Sequence, residues 1–190
     1  MKKLLICILT LLPLAASQAV AQTAVANGEN RDMGAYYDDQ EDEIGNFDFL
    51  YGETEENRSE AMVESIMQEA FSHLGARYRH GSKGPYTFDC SGFTQYVYKQ
   101  QMGVLLGASS RDQYARLTPV SRTDLQRGDL VFFTSPKSGK NVGHVGIVVD
   151  VNPLTNSFSF IHASSTTGVK VSESTESYYV RRYVGARRVR

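Results

Sequence analysis

The chain has 190 residues, 41% of them hydrophobic and 22% charged, which suits one globular domain and excludes a fibrous or wholly disordered chain. Its two cysteines, Cys7 and Cys90, exclude a disulfide-stapled mini-fold and any CxxC-type zinc or redox site. The formal net charge of −1 hides an acidic front and a basic remainder.

Residues 1–21 read as a secretory signal peptide. Lys2 and Lys3 open it, Leu4 to Leu14 form an apolar run, and Ala19-Val20-Ala21 gives a small-x-small cleavage pattern. Cys7 lies inside the apolar run and leaves with it, so the exported protein is expected to carry one thiol, Cys90. No stretch is apolar for long enough to span a membrane.

Residues 22–57 hold eleven acidic side chains and one basic one, Arg31, with no sustained period. They read as a mostly disordered acidic leader, or as an extended segment docked through Tyr36, Tyr37, Phe47, Phe49 and Tyr51. Residues 58–190 carry seven more basic than acidic groups. A basic domain suits an anionic polymer, but no nucleic-acid-binding motif or basic–aromatic repeat is present, so no nucleic-acid partner is expected.

A helix is expected from Ser59 to Leu74, where Met62, Val63, Ile66, Met67, Ala70, Phe71 and Leu74 recur at three- and four-residue steps. Ser59 is its expected cap and Gly75 its stop. Residues 76–88 form a Gly/Pro-punctuated loop. Further helices are expected from Cys90 to Gln101 and from Asp112 to Leu117. Strands follow at Leu130–Phe133, His144–Asp150, Ser157–Ala163, Gly168–Ser172 and Tyr179–Val189, with Asn152–Asn156 as a turn. Helices first and an antiparallel meander after them is the α+β pattern.

Cys90 falls where the loop gives way to a helix. The first-turn N–H groups of a helix favour a thiolate and can receive an oxyanion. A base is nominated by the hairpin. With the turn centred near Asn152–Leu154, His144 and His162 point to one face, on neighbouring strands roughly 5 Å apart. A base held by an orienting group is the logic of nucleophilic triads. Two histidines and one thiol without an acidic ligand make a poor zinc set, so no metal and no cofactor is expected. His73 and His80 receive no catalytic role.

Taken together, these stretches resemble the NlpC family of bacterial cell-wall cysteine peptidases. The marks are Gly75-Ala76-Arg77-Tyr78, Asp89-Cys90-Ser91-Gly92-Phe93, Leu125 to Phe133, Gly143-His144-Val145-Gly146-Ile147, and Phe160-Ile161-His162-Ala163-Ser164. The tail from Gly168 to Val189 looks most like the murein endopeptidases of that family. The resemblance implies a circularly permuted papain-like fold over residues 58–190. It also implies hydrolysis of peptidoglycan stem peptides, with Cys90 as nucleophile, His144 as base and His162 in the third polar position. Tyr78 matches a tyrosine beside the nucleophile, Asp89 and Ser91 match substrate contacts, and Ser109 and Gln113 match the substrate-side segment. The expected protein is monomeric and exported, to the periplasm or beyond. Two alternatives stay open at this point: a non-catalytic peptidoglycan-binding module, and a Cys–His amidase or acyl transferase acting on another substrate.

Overall fold

The computed structural model describes residues 54–190. The signal segment, and the acidic leader up to residue 53, lie outside the described residues.

The first helix, α1 (Glu55–Ser72), starts ahead of the expected Ser59. Thr54 is its cap and accepts the Asn57 N–H at 3.2 Å, while Glu55 and Glu56 sit at the positive end of the helix dipole. The leader's charge hid this start, because the last acidic residues of the run are also a good first turn. Ser59 instead bonds back to the Glu56 carbonyl at 2.8 Å. Ile66, Met67 and Ala70 form the buried stripe. Leu74, expected on that stripe, lies beyond the helix end and is 50% exposed.

Two short strands, β1 (Arg77–Tyr78) and β2 (Thr87–Phe88), pair in parallel. At two residues each they carry no readable period. Helix α2 (Cys90–Met102) follows, then α3 (Ser110–Arg116), β3 (Thr118–Val120) and a 3₁₀ turn at Arg122–Asp124. The remaining elements are β4 (Leu130–Thr134), β5 (Val142–Asn152), β6 (Ser157–Ser164), β7 (Gly168–Glu173), a single helical turn α4 (Ser177–Val180), and β8 (Tyr183–Arg188). The expected strand beginning at Tyr179 is therefore corrected: residues 177–180 are helical and the strand starts at Tyr183.

The sheet order is β3-β8-β4-β5-β6-β7, with every neighbouring pair antiparallel. Strands β4 to β7 form the meander, and β8 returns to the free side of β4. Side chains alternate across the sheet, so each strand feeds two cores. Leu130, Phe132, Val145, Ile147, Ile161 and Ala163 pack with Ile66, Met67, Phe93 and Val97 from α1 and α2. On the other face Val131, Phe133, Val148, Phe158 and Phe160 pack with Tyr179 and Ala186. This explains why β4 reads as a continuous apolar run: both of its faces are covered. Burying each phenylalanine contributes about 1.5–3 kcal/mol relative to leaving it exposed. The architecture is the α+β arrangement the sequence implies.

Candidate active site

Cys90 is the first residue of α2, and the turn before it is tightly tied. The Asp89 carboxylate caps the helix, accepting the Gly92 N–H at 2.6 Å and the Ser91 hydroxyl at 3.0 Å, and its other oxygen accepts the Gly81 N–H at 2.9 Å. The Asp89 N–H donates to the Ser82 carbonyl at 2.9 Å. A Cβ on Gly92 would stand 2.1 Å from that carbonyl oxygen, so only glycine lets the loop backbone cross the first turn of α2. Sequence and packing thus fix where the thiol sits.

The electrostatics differ from the expected activated thiolate. Burial raises the Cys90 thiol to about 11, and the neighbouring Asp89 charge adds to the rise. The backbone N–H groups of Ser91, Val145 and Cys90 itself pull the other way without overcoming it. At neutral pH the thiol is therefore protonated. The helix mouth reduces the cost of forming a thiolate; it does not make one at rest. The Tyr78 hydroxyl lies close enough to be pushed up by burial first, then by Cys90 and Asp89.

The Val145 N–H that faces the sulfur follows His144 directly in the chain, which brings α2 against β5 at the histidine. Two irregularities aim the imidazoles. Phe133 pairs with His144 and Thr134 with Val142, so Gly143 is an extra residue beside His144. Further along, Val148 pairs with Phe160 and Asp150 with Ser159, leaving Val149 as a bulge. The hairpin loop is 153–156, longer than a turn centred on residue 153. Continued without interruption, that register would send His162 to the face opposite His144. The Val149 bulge reverses the parity and returns both to one face. The expected pairing is present, through a bulge the sequence did not show.

Nε2 of His144 lies 2.9 Å from Nδ1 of His162. Nε2 of His162 in turn lies 3.2 Å from the Ser172 hydroxyl and 3.1 Å from the Tyr179 hydroxyl. His144 keeps an edge on the cavity, and its Nδ1 is the nitrogen left for a reacting group. Desolvation lowers His144 to about 4. His162, 1% exposed, is lowered to about 2 by burial, then by the His144 and Lys170 charges. Both imidazoles are neutral at pH 7. Ser172 and Tyr179 escaped sequence reasoning, because Tyr179 falls in a misread strand and a lone serine carries no signal.

The remaining nominated residues make hydrogen bonds within the scaffold. Ser109 caps α3, accepting the Asp112 N–H at 3.2 Å. Gln113, expected in the substrate-side segment, is fully buried at 0% exposure. Its amide accepts from Thr94 Oγ1 at 2.9 Å and donates to the Ser91 carbonyl at 3.0 Å and the Gly107 carbonyl at 3.3 Å. It is a strut between α3 and the start of α2. Asp89 and Ser91 also spend their side chains on the cap.

Cys90, His144, His162 and Tyr78 line one cavity of about 710 Å³, with Lys137, Lys170 and the turn at residues 164–167 on its walls. His80 stands at its exposed margin, while His73 bonds Glu69 at 3.0 Å, outside it. Among the described residues, no group of three or more His, Cys, Asp or Glu side chains is placed to hold a metal ion, and no helix is long and apolar enough to cross a membrane.

Residues 75–188 match the NlpC/P60 family. The chain is 39% identical over 124 residues to the murein DD-endopeptidase MepS/murein LD-carboxypeptidase of Escherichia coli strain K12, a match covering 65% of this chain and 61% of that protein. It is 46% identical over 91 residues to the probable endopeptidase p60 of Listeria grayi, covering 48% of this chain and 17% of that one. Among solved structures, a lipoprotein-like NLP/P60 family protein of Staphylococcus aureus superposes with a TM-score of 0.59 at 35% identity, over 68% of this chain and 41% of that one. The NlpC/p60 domain of the peptidoglycan hydrolase SagA gives 0.55 at 31% identity, over 67% of this chain and 98% of that domain.

Proposed function

Because the chain belongs to the NlpC/P60 family, we propose that it is a cysteine endopeptidase that hydrolyses peptidoglycan stem peptides through a Cys90–His144–His162 triad. The observation that carries this reading is the shared cavity. A thiol at a helix start, a neutral imidazole, and a second, buried imidazole bonded to the first all line one space. Export follows from the substrate, which lies outside the cytoplasm.

The resting pair is a neutral thiol and a neutral imidazole, so the nucleophile forms during attack. Cys90 Sγ gives its proton to Nδ1 of His144 as the sulfur bonds the stem-peptide carbonyl carbon. The Nε2–H of His144 donates to Nδ1 of His162, which steadies the imidazolium. First-turn N–H groups of α2, with the Tyr78 hydroxyl, receive the oxyanion. The tetrahedral centre collapses, the C–N bond breaks, and the leaving amine takes the proton from His144. A thioester remains on Cys90. Water then loses a proton to His144 and attacks the thioester, and the sulfur leaves and is reprotonated. The products are a carboxylate and an amine, and no oxidant or cofactor enters the balance.

The D,D cross-link is the preferred bond, in line with the name of the Escherichia coli relative and the Gly168–Val189 tail; the γ-D-Glu–diamino acid bond is the alternative. Cys90→Ala is expected to abolish release of soluble fragments from purified peptidoglycan with the melting temperature unchanged. Mass spectrometry of the wild-type fragments identifies the bond. Hydrolysis retained by the alanine variant removes Cys90 from the mechanism. His162→Ala is expected to cost less than His144→Ala, since it orients a proton carrier instead of carrying the proton.

A further inference from the structure

Two lysines line the cavity, and among the described residues no acidic side chain does. Lys170 on β7 is directly opposite His162 on β6 and half-buried. Lys137, exposed between β4 and β5, lines the same space. Among the described residues neither ammonium forms an ion pair, and no aspartate or glutamate lines the cavity. The nearby Asp89 carboxylate is engaged by Gly92, Ser91 and Gly81. The turn at Ser164, Ser165, Thr166 and Thr167 lines the same cavity, with the Ser164 and Thr166 hydroxyls bonded to each other at 3.0 Å. A half-buried ammonium without a counter-charge is unfavourable in the empty protein and becomes favourable when an anion arrives.

We propose that Lys170, assisted by Lys137 and the 164–167 turn, forms a subsite for a free carboxylate of the stem peptide close to the bond that is cut. This rests on reading the Cys90 cavity as the peptidase site. The substrate chemistry supplies two such groups. A γ-linked glutamate necessarily keeps its α-carboxylate, and a diamino acid with two carboxyl groups keeps one beside its side-chain amine. Holding either against Lys170 orients the stem next to the imidazoles. It also neutralises the positive charge that opposes protonation of the histidine pair.

The experiment uses the full chain and cross-linked muropeptides in three forms: both carboxylates free, the glutamate carboxyl amidated, or the diamino acid carboxyl amidated. One amidation is expected to lower kcat/KM about tenfold, mainly through KM, the size of one lost charge-assisted hydrogen bond. Lys170→Met is expected to lose a similar factor on the free form and almost nothing further on that amidated form, while Lys170→Arg keeps the preference. The amidation that matters identifies the carboxylate. Equal losses on all three forms, or no loss, overturn the subsite. Binding of the same muropeptides to Cys90→Ala, with and without Lys170→Met, separates the two readings. A Lys170-dependent preference in affinity supports the subsite even if the wild type cleaves nothing, whereas an affinity indifferent to amidation and to Lys170 rejects it.

Discussion

The 2.9 Å contact between Nε2 of His144 and Nδ1 of His162 joins two imidazoles, each with one nitrogen left for another partner. Only one direction of this bond is productive. For His144 to accept a proton at Nδ1, its Nε2 must carry the hydrogen and donate it to His162. His162 must then hold its own hydrogen on Nε2, where the Ser172 and Tyr179 oxygens at 3.2 and 3.1 Å can accept it. The tautomer of the base is thus supported two residues away from the sulfur.

Ser172→Ala or Tyr179→Phe alone leaves one acceptor and is expected to lower kcat only a few-fold. Removing both leaves the Nε2 proton unpaired in a buried site, and kcat is expected to fall by about tenfold to a hundredfold with KM unchanged. Imidazole nitrogen chemical shifts in the double variant are expected to show the His144 proton moving from Nε2 toward Nδ1. Full kcat in the double variant removes the hydroxyl pair from the relay.

Acid stability follows from the buried neutral imidazoles. In the unfolded chain both histidines take up protons as the pH falls below 6.5, whereas folded His144 resists until about 4 and folded His162 until about 2. Between these values the unfolded state binds more protons, so stability declines as the pH is lowered. The melting temperature is expected to fall between pH 7 and pH 5. His162→Asn should flatten that slope, by up to about 1.4 kcal/mol per pH unit, since one pKa unit is worth that much. Equal slopes in the two proteins would show that His162 is not protonated on unfolding.

Gln113→Leu tests the strut. The Ser91 and Gly107 carbonyls lose its amide N–H and the Thr94 hydroxyl loses its acceptor, at a cost of about 2–4 kcal/mol. A lower melting temperature is expected, with KM unchanged at temperatures where the variant is folded. An unchanged melting temperature with a raised KM would return Gln113 to the substrate.

Local chemistry was legible in the sequence wherever a residue acts on its own neighbours. The Gly/Pro-punctuated loop that gives way to an apolar-periodic segment at Cys90 announces a helix beginning at the thiol, while the Asp89 cap emerged only in the fold. The alternating apolar pattern of β5 and β6 announces a buried hairpin carrying His144 and His162. The burial of Gln113 was not legible because a glutamine's contacts depend on what stands opposite it, here the Ser91 carbonyl and the Thr94 hydroxyl, 22 and 19 residues away in the chain.

The sequence by itself determined the helix start that carries Cys90, the two histidine-bearing strands and the α+β layering, because loop breakers and periods are properties of a few adjacent residues. The tertiary structure alone decided the protonated state of the thiol, the bulge at Val149 that turns His162 toward His144, and the meeting of His162 with Ser172 and Tyr179. Desolvation, register and long-range hydrogen bonds depend on which distant segments come together, and no local pattern encodes that.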